Sequence, residues 1–111
     1  MKKVGFWYSK DEPKLPMPVQ QEPDSEWVKK DKPASFAKLL IAVEKVARCV
    51  GYKGSSRCRI CDKRNGSMEF GYKGWVWPEG YMHYIRDHNV KPPAKFIQFV
   101  VSEITKVTKG I

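Results

Sequence analysis

Apolar residues recur through the middle of the chain at three- and four-residue intervals: Phe36, Leu39, Leu40, Val43, Val46, Ala47 and Val50. This spacing predicts an amphipathic helix over residues 33–50. Pro33 suits its first turn and Gly51 its end, and Lys38, Lys45 and Arg48 fall on the opposite side. Cys49 reads as a buried small apolar residue of that helix rather than an extra metal ligand. Before it, residues 1–32 form an extended Pro-rich arm. Residues 5–8 suit a short strand, and prolines at 13, 16, 18 and 23 then deny regular structure to the rest of the arm. Trp7 and Trp27, at its two ends, predict an arm pinned across the domain.

After Gly51 the helical period is lost. Residues 52–77 read as short antiparallel strands joined by turns, with Asn65-Gly66 a tight-turn dipeptide and Gly71-Tyr72-Lys73-Gly74 a second turn. Pro78-Glu79-Gly80 opens a second helix running to about Asn89. Pro92-Pro93 ends that segment and starts a third, over residues 92–106, with Phe96, Ile97, Phe99, Val100 and Ile104 as its apolar positions. The predicted fold is α+β: one small zinc-stabilised domain over residues 1–111, with a hairpin and about three helices. Four Trp, five Tyr and five Phe predict a core built from rings.

The chemistry is concentrated in residues 52–91. Cys58-x2-Cys61 is followed after 21 residues by His83-x4-His88, which uses both histidines of the 111-residue chain. Zinc favours four ligands in a tetrahedron of thiolate and imidazole, and a Cys-x2-Cys turn aims two sulfurs at one point. Arg57 and Arg59 flank the first cysteine and favour its thiolate. Five residues along a helix is about 500° of rotation, so His88 must lie where the helix loosens, and Asn89 tolerates the left-handed conformation that would allow it. Four protein ligands with no spare base predict a structural Zn2+, not a catalytic one. The nucleobase-deaminase pattern requires His-x-Glu ahead of the cysteines, the metalloprotease pattern requires His-Glu-x-x-His, and neither is present. Asp87-His88 resembles part of an HNH nuclease site, but no histidine follows to complete it.

Residues 56–96 resemble a family of small bacterial proteins that share the elements Cys58-Arg59-Ile60-Cys61, Asn65-Gly66-Ser67, Trp75-Val76-Trp77-Pro78-Glu79-Gly80, His83-Tyr84, His88-Asn89-Val90 and Pro93-Ala94-Lys95-Phe96. Leu15-Pro16-Met17-Pro18-Val19 is similar to a further segment of that family. The resemblance implies a zinc-stabilised fold and carries no activity over with it; this chain is the richer in lysine. Trp75, Trp77 and Tyr84 surround the metal ligands in sequence and are expected to pack behind the ligands and in the core rather than form a base-stacking platform.

Charge adds a partner. Lys and Arg number 21 against 12 Asp and Glu. Between residues 45 and 64, seven basic side chains face a single acid, Asp62. The metal's two positive charges cancel two thiolates, so this surplus survives metal binding. Lys45, Arg48, Lys53, Arg57, Arg59, Lys63, Arg64 and Lys73 would grip phosphates, with Tyr52 or Tyr72 stacking on bases. The expected function is non-catalytic nucleic-acid binding; the alternative is an adaptor or inhibitor that meets an acidic protein. Three cysteines, two of them at metal-ligand spacing, argue against a disulfide framework and for a reducing, cytoplasmic setting. No segment has the length or apolarity of a membrane span.

Overall fold

The computed structural model describes residues 2–10, 12–51 and 56–109. Tyr52 and Lys53, expected in the nucleic-acid interface, lie outside the described residues. Among these residues the order is β1 (Lys2–Lys3), α1 (Glu26–Lys29), α2 (Lys32–Glu44), β2 (Arg48–Gly51), β3 (Met68–Tyr72), β4 (Trp75–Pro78), α3 (Tyr81–His88) and α4 (Ala94–Lys109). The four strands form one mixed sheet in the order β1-β4-β3-β2, so the α+β class holds. β1 runs parallel to β4, and the other pairings are antiparallel.

The β3–β4 hairpin is set by its turn. Lys73 and Gly74 take φ of 47° and 88°, the two successive positive values of a two-residue turn whose twist matches the flanking strands. Tyr72 is thereby paired with Trp75, and Phe70 with Trp77. One core then joins β4 to α2, α3 and α4. Its centre is Phe96, fully buried, whose ring lies 5.1 Å from that of Trp75, 5.4 Å from Trp77, 6.0 Å from Tyr81 and 6.1 Å from Phe36. Leu40, Val43, Ile85 and Val100 fill the space between these rings. Trp75 and Trp77 thus pack at the aromatic centre and Tyr84 joins the cluster beside Cys58, which agrees with the packing expected of the three.

The helix expected over residues 33–50 is shorter. α2 stops at Glu44, and residues 48–51 turn back as β2, with Cys49 opposite Phe70 and Val50 opposite Glu69. The helical apolar period continues through Val46 and Val50, yet these are 62% and 43% exposed. Pairing with β3 supplies hydrogen bonds that a further helical turn would have made locally, and tertiary pairing wins. Cys49 is correspondingly exposed rather than buried, with Sγ 3.8 Å from Met68 Sδ.

The arm differs in detail as well. Its strand is Lys2–Lys3 rather than residues 5–8. A four-residue helix, α1, forms inside it because Ser25 Oγ caps the Val28 amide at 3.3 Å. Trp27 is buried against Phe36, and Trp7 sits edge-on to Tyr81 and Tyr84. Farther along, Gln21 donates to the Asn89 carbonyl at 3.0 Å.

One half-buried acid makes stability depend on pH. Glu44 Oε2 accepts the Trp77 Nε1 hydrogen at 2.9 Å. Burial pushes its carboxyl up to about 7; the Trp77 bond opposes this shift and Glu79 adds to it. Between the ordinary carboxyl range and about 7, the folded protein keeps a proton that the unfolded chain has released. Stability therefore falls as pH rises through that window. Glu44→Gln keeps an acceptor for Trp77 and removes the ionisation. Paired thermal melts should show the variant gaining on the native protein from about pH 5 upward, to a difference on the order of 1–2 kcal/mol near pH 8.

Candidate metal centre

Two separate pieces of chain supply the cluster. The first is the turn at Cys58–Lys63: the Cys58 amide donates to the Lys63 carbonyl and the Asp62 amide to the Cys58 carbonyl, each at 2.9 Å. Asp62 takes a positive φ of 61° to close it, and a bridge between Arg57 and Arg64 seals its base. Cys58 Sγ then accepts from the amides of Ile60 at 3.4 Å and Cys61 at 3.5 Å.

The second piece is α3. Its left-handed end at Asn89, φ 54°, turns the chain so that Val90 donates to the Tyr84 carbonyl at 3.0 Å. This is the loosened terminus that the five-residue histidine spacing demands. His88 is the last helical residue, and its ring stands perpendicular to that of His83 with 4.7 Å between centroids.

Two motif elements lock these pieces together. Asn65 Nδ2 donates to the Gly80 carbonyl at 3.2 Å, and Glu79 Oε1 accepts the Ser67 amide at 3.0 Å. Gly66 holds φ at 93°, and a Cβ there would lie 2.6 Å from Glu79 Oε1; a Cβ on Gly80 would strike the Asn65 carbonyl oxygen. Asn65-Gly66 is therefore not the hairpin tip expected of it. The tip is the cysteine turn, and the dipeptide forms the dock between that turn and the start of α3.

One ligand atom from each of Cys58, Cys61, His83 and His88 lies within 4.8 Å of the other three, close enough to hold a metal ion. Cys61 Sγ is 3.3 Å from His83 Nε2, and the two Nε2 atoms are 3.2 Å apart. Comparison of the chain with protein-family models, with curated proteins and with solved structures finds no match. The chemistry of the centre is therefore argued from its own atoms.

His83 Nδ1 lies 2.8 Å from Asp87 Oδ2. Donation from Nδ1 fixes the tautomer and leaves the Nε2 lone pair facing the cluster. Partial burial raises the Asp87 carboxyl, but hydrogen bonds from His83 and Arg86 outweigh it and hold the group below the usual carboxylate range. Burial first, then the neighbouring His83, lowers His88, which favours its neutral, ligating form. Asp87 is not among the expected site residues. Its signal is nonetheless present in the sequence, as a carboxylate one helical turn beyond a ligating histidine.

The basic residues expected to form one patch divide. Lys45 and Arg48 lie at the end of α2 and the start of β2. Lys73, at the hairpin turn, pairs with Glu103 at 3.0 Å. Arg59 Nε donates to the Tyr8 carbonyl at 2.6 Å, and its Nη1 to the Arg57 carbonyl, so this guanidinium straps the arm to the cysteine turn. Arg57, Lys63 and Arg64 stand around that turn, all three exposed.

Asp87→Ala should lower affinity for a divalent ion by about 10- to 100-fold, measured by competition with a chromophoric chelator. Cys61→Ser, which removes a ligand outright, should cost more.

Proposed function

We propose that the ion is zinc, that all four protein ligands hold it structurally, and that the domain braced this way binds nucleic acid without catalysis. Donor set and spacing support zinc: two nitrogens at about 2.0–2.1 Å from a tetrahedral centre lie about 3.3 Å apart, and a nitrogen and a sulfur about 3.6 Å. The separations of 3.2 Å between the two nitrogens and 3.3 Å between nitrogen and sulfur fall close to these values. With four protein donors, no position is left for substrate. The nearest carboxylate, Asp87, is committed to His83 and Arg86. Thiolate ligation requires reduced cysteines, so the reading includes a reducing compartment, the cytoplasm. The motif resemblance, which implies a zinc-stabilised fold, agrees with the structural ion.

The observation that carries nucleic-acid binding is the pairing of Arg57 with Arg64 directly across the cysteine turn. Like charges in that position cost stability, and an anion between or beside them recovers it. Lys63 adjoins them; Arg57 Nη1 donates to the Asp62 carbonyl at 3.0 Å, but the Asp62 carboxylate lies 3.9 Å away with both side chains largely exposed, too weak an ion pair to neutralise the turn. Phosphate oxygens offer the complementary charge, and guanidinium groups bind them in bidentate geometry. A zinc-held turn fixes the backbones that carry the two arginines opposite one another.

A second reading has its own support. β2 is an edge strand, with Val46 and Val50 exposed beside Lys45 and Arg48, and an acidic protein could add a strand there. On the nucleic-acid reading, the protein is retained by heparin and shifts oligonucleotides. Its affinity falls steeply between about 50 and 200 mM salt. The double variant Arg57→Ala, Arg64→Ala should lower the slope of log affinity against log salt by about 2 while leaving bound zinc unchanged. Binding that ignores salt, or a slope untouched by the double variant, would reject the reading.

A further inference from the structure

A cleft of about 690 Å³ opens between the N-terminal arm and the metal-bearing unit, within the size range of small-ligand sites. Its walls include Phe6 and Leu15 from the arm, and Ser56, Arg59 and Asn65 from the cysteine turn and its base. The floor is the ring of Tyr81, against which Gly5 lies so closely that a Cβ would come to 2.5 Å.

Three observations define what fits. First, Phe6 is half-buried, belongs to neither apolar cluster and makes no ring–ring contact among the described residues. Lys3 Nζ lies 6.0 Å from its centroid. A ring held at a cleft wall with a cation beside it is a stacking surface rather than core filling. Second, the charged groups at the cleft cancel, Lys3 and Arg59 against Glu12 and Glu69. Such a site does not favour a phosphate; it suits a neutral, flat group with both donor and acceptor edges. Third, the cleft adjoins the basic turn, because Arg59 lines it and Ser56 and Asn65 immediately flank Arg57 and Arg64.

Resting on the nucleic-acid reading, we infer that this cleft receives one unpaired nucleobase, stacked on Phe6, from a single strand whose phosphates lie on Arg57, Lys63 and Arg64. The Glu12 and Glu69 carboxylates meet the base edge, while the aromatic and aliphatic walls exclude water. The protein is then a single-strand binder, since a base inside a duplex cannot enter without being extruded.

The test compares fluorescein-labelled oligo(dT) with a DNA duplex of equal length, using the zinc-loaded full chain, Phe6→Ala and Leu15→Ala. Native protein should prefer the single strand. Phe6→Ala should weaken that binding at least about fivefold, with the salt slope unchanged and duplex binding unaffected. Leu15→Ala, on the same wall, should act in the same direction, and thermal melts identify any variant that has unfolded. Equal affinity for strand and duplex, or folded Phe6→Ala and Leu15→Ala proteins that bind oligo(dT) like the native one, would overturn the cleft proposal and leave phosphate binding standing. Failure of the native protein to bind either probe would overturn both.

Discussion

The convergence of two sulfurs from a turn and two ring nitrogens from a helix end is the constraint on which the lower half of this molecule depends. The chain from Ser56 to Ser67 has no helix or named strand, and the apolar cluster beneath it consists of Cys58, Tyr84 and Val90 with Trp7 and Ile60 against them. So small a cluster supplies little hydrophobic stabilisation. On the proposed reading, a structural zinc contributes on the order of 10 kcal/mol to the folding of such a unit, comparable to the whole stability of a small domain. The surrounding contacts direct that energy: Asn65 on Gly80 and Glu79 on Ser67 align the turn with α3, and Asp87 orients His83.

The other half is held by rings. Phe96 gathers side chains from α2, β4 and α3 at centroid distances of 5.1 to 6.1 Å, and the edge and tilted geometries add to the burial itself. Trp7 connects the halves, packing against both apolar clusters. The Arg59 strap and the arm's bond to Asn89 do the same with polar groups. A disturbance at the metal should therefore reach the arm and the cleft that the arm encloses.

The placement of charge separates structural from available groups. Glu103 is buried and draws in Lys73 and Lys106, and these bonds hold its carboxyl below the ordinary range. Arg59 is spent on carbonyls, which satisfy its donors without cancelling its charge. Arg57, whose Nη1 donates to the Asp62 carbonyl, stays exposed with Lys63 and Arg64, and all three keep their charge open to solvent. A net charge of +9 alone does not make that distinction.

The four ligands were legible in the chain because their chemistry is local: Cys-x2-Cys makes its own turn, and Asn89 makes its own left-handed stop. The same holds for α3, for most of α4 and for the Lys73-Gly74 turn, where backbone preference and apolar period agree. The period misled at residues 45–50, because a strand at the edge of a sheet is decided by its partner, and β3 begins 17 residues beyond the end of β2. The dock formed by Asn65, Gly66, Glu79 and Gly80, the duties of Arg59 and Lys73, the exposure of Cys49 and the cleft beside Phe6 likewise depend on groups far apart in sequence. Local chemistry set what the ligands are; only the folded chain, by bringing distant backbone and side chains into hydrogen-bonding range, decided which neighbours hold them and which charges stay free.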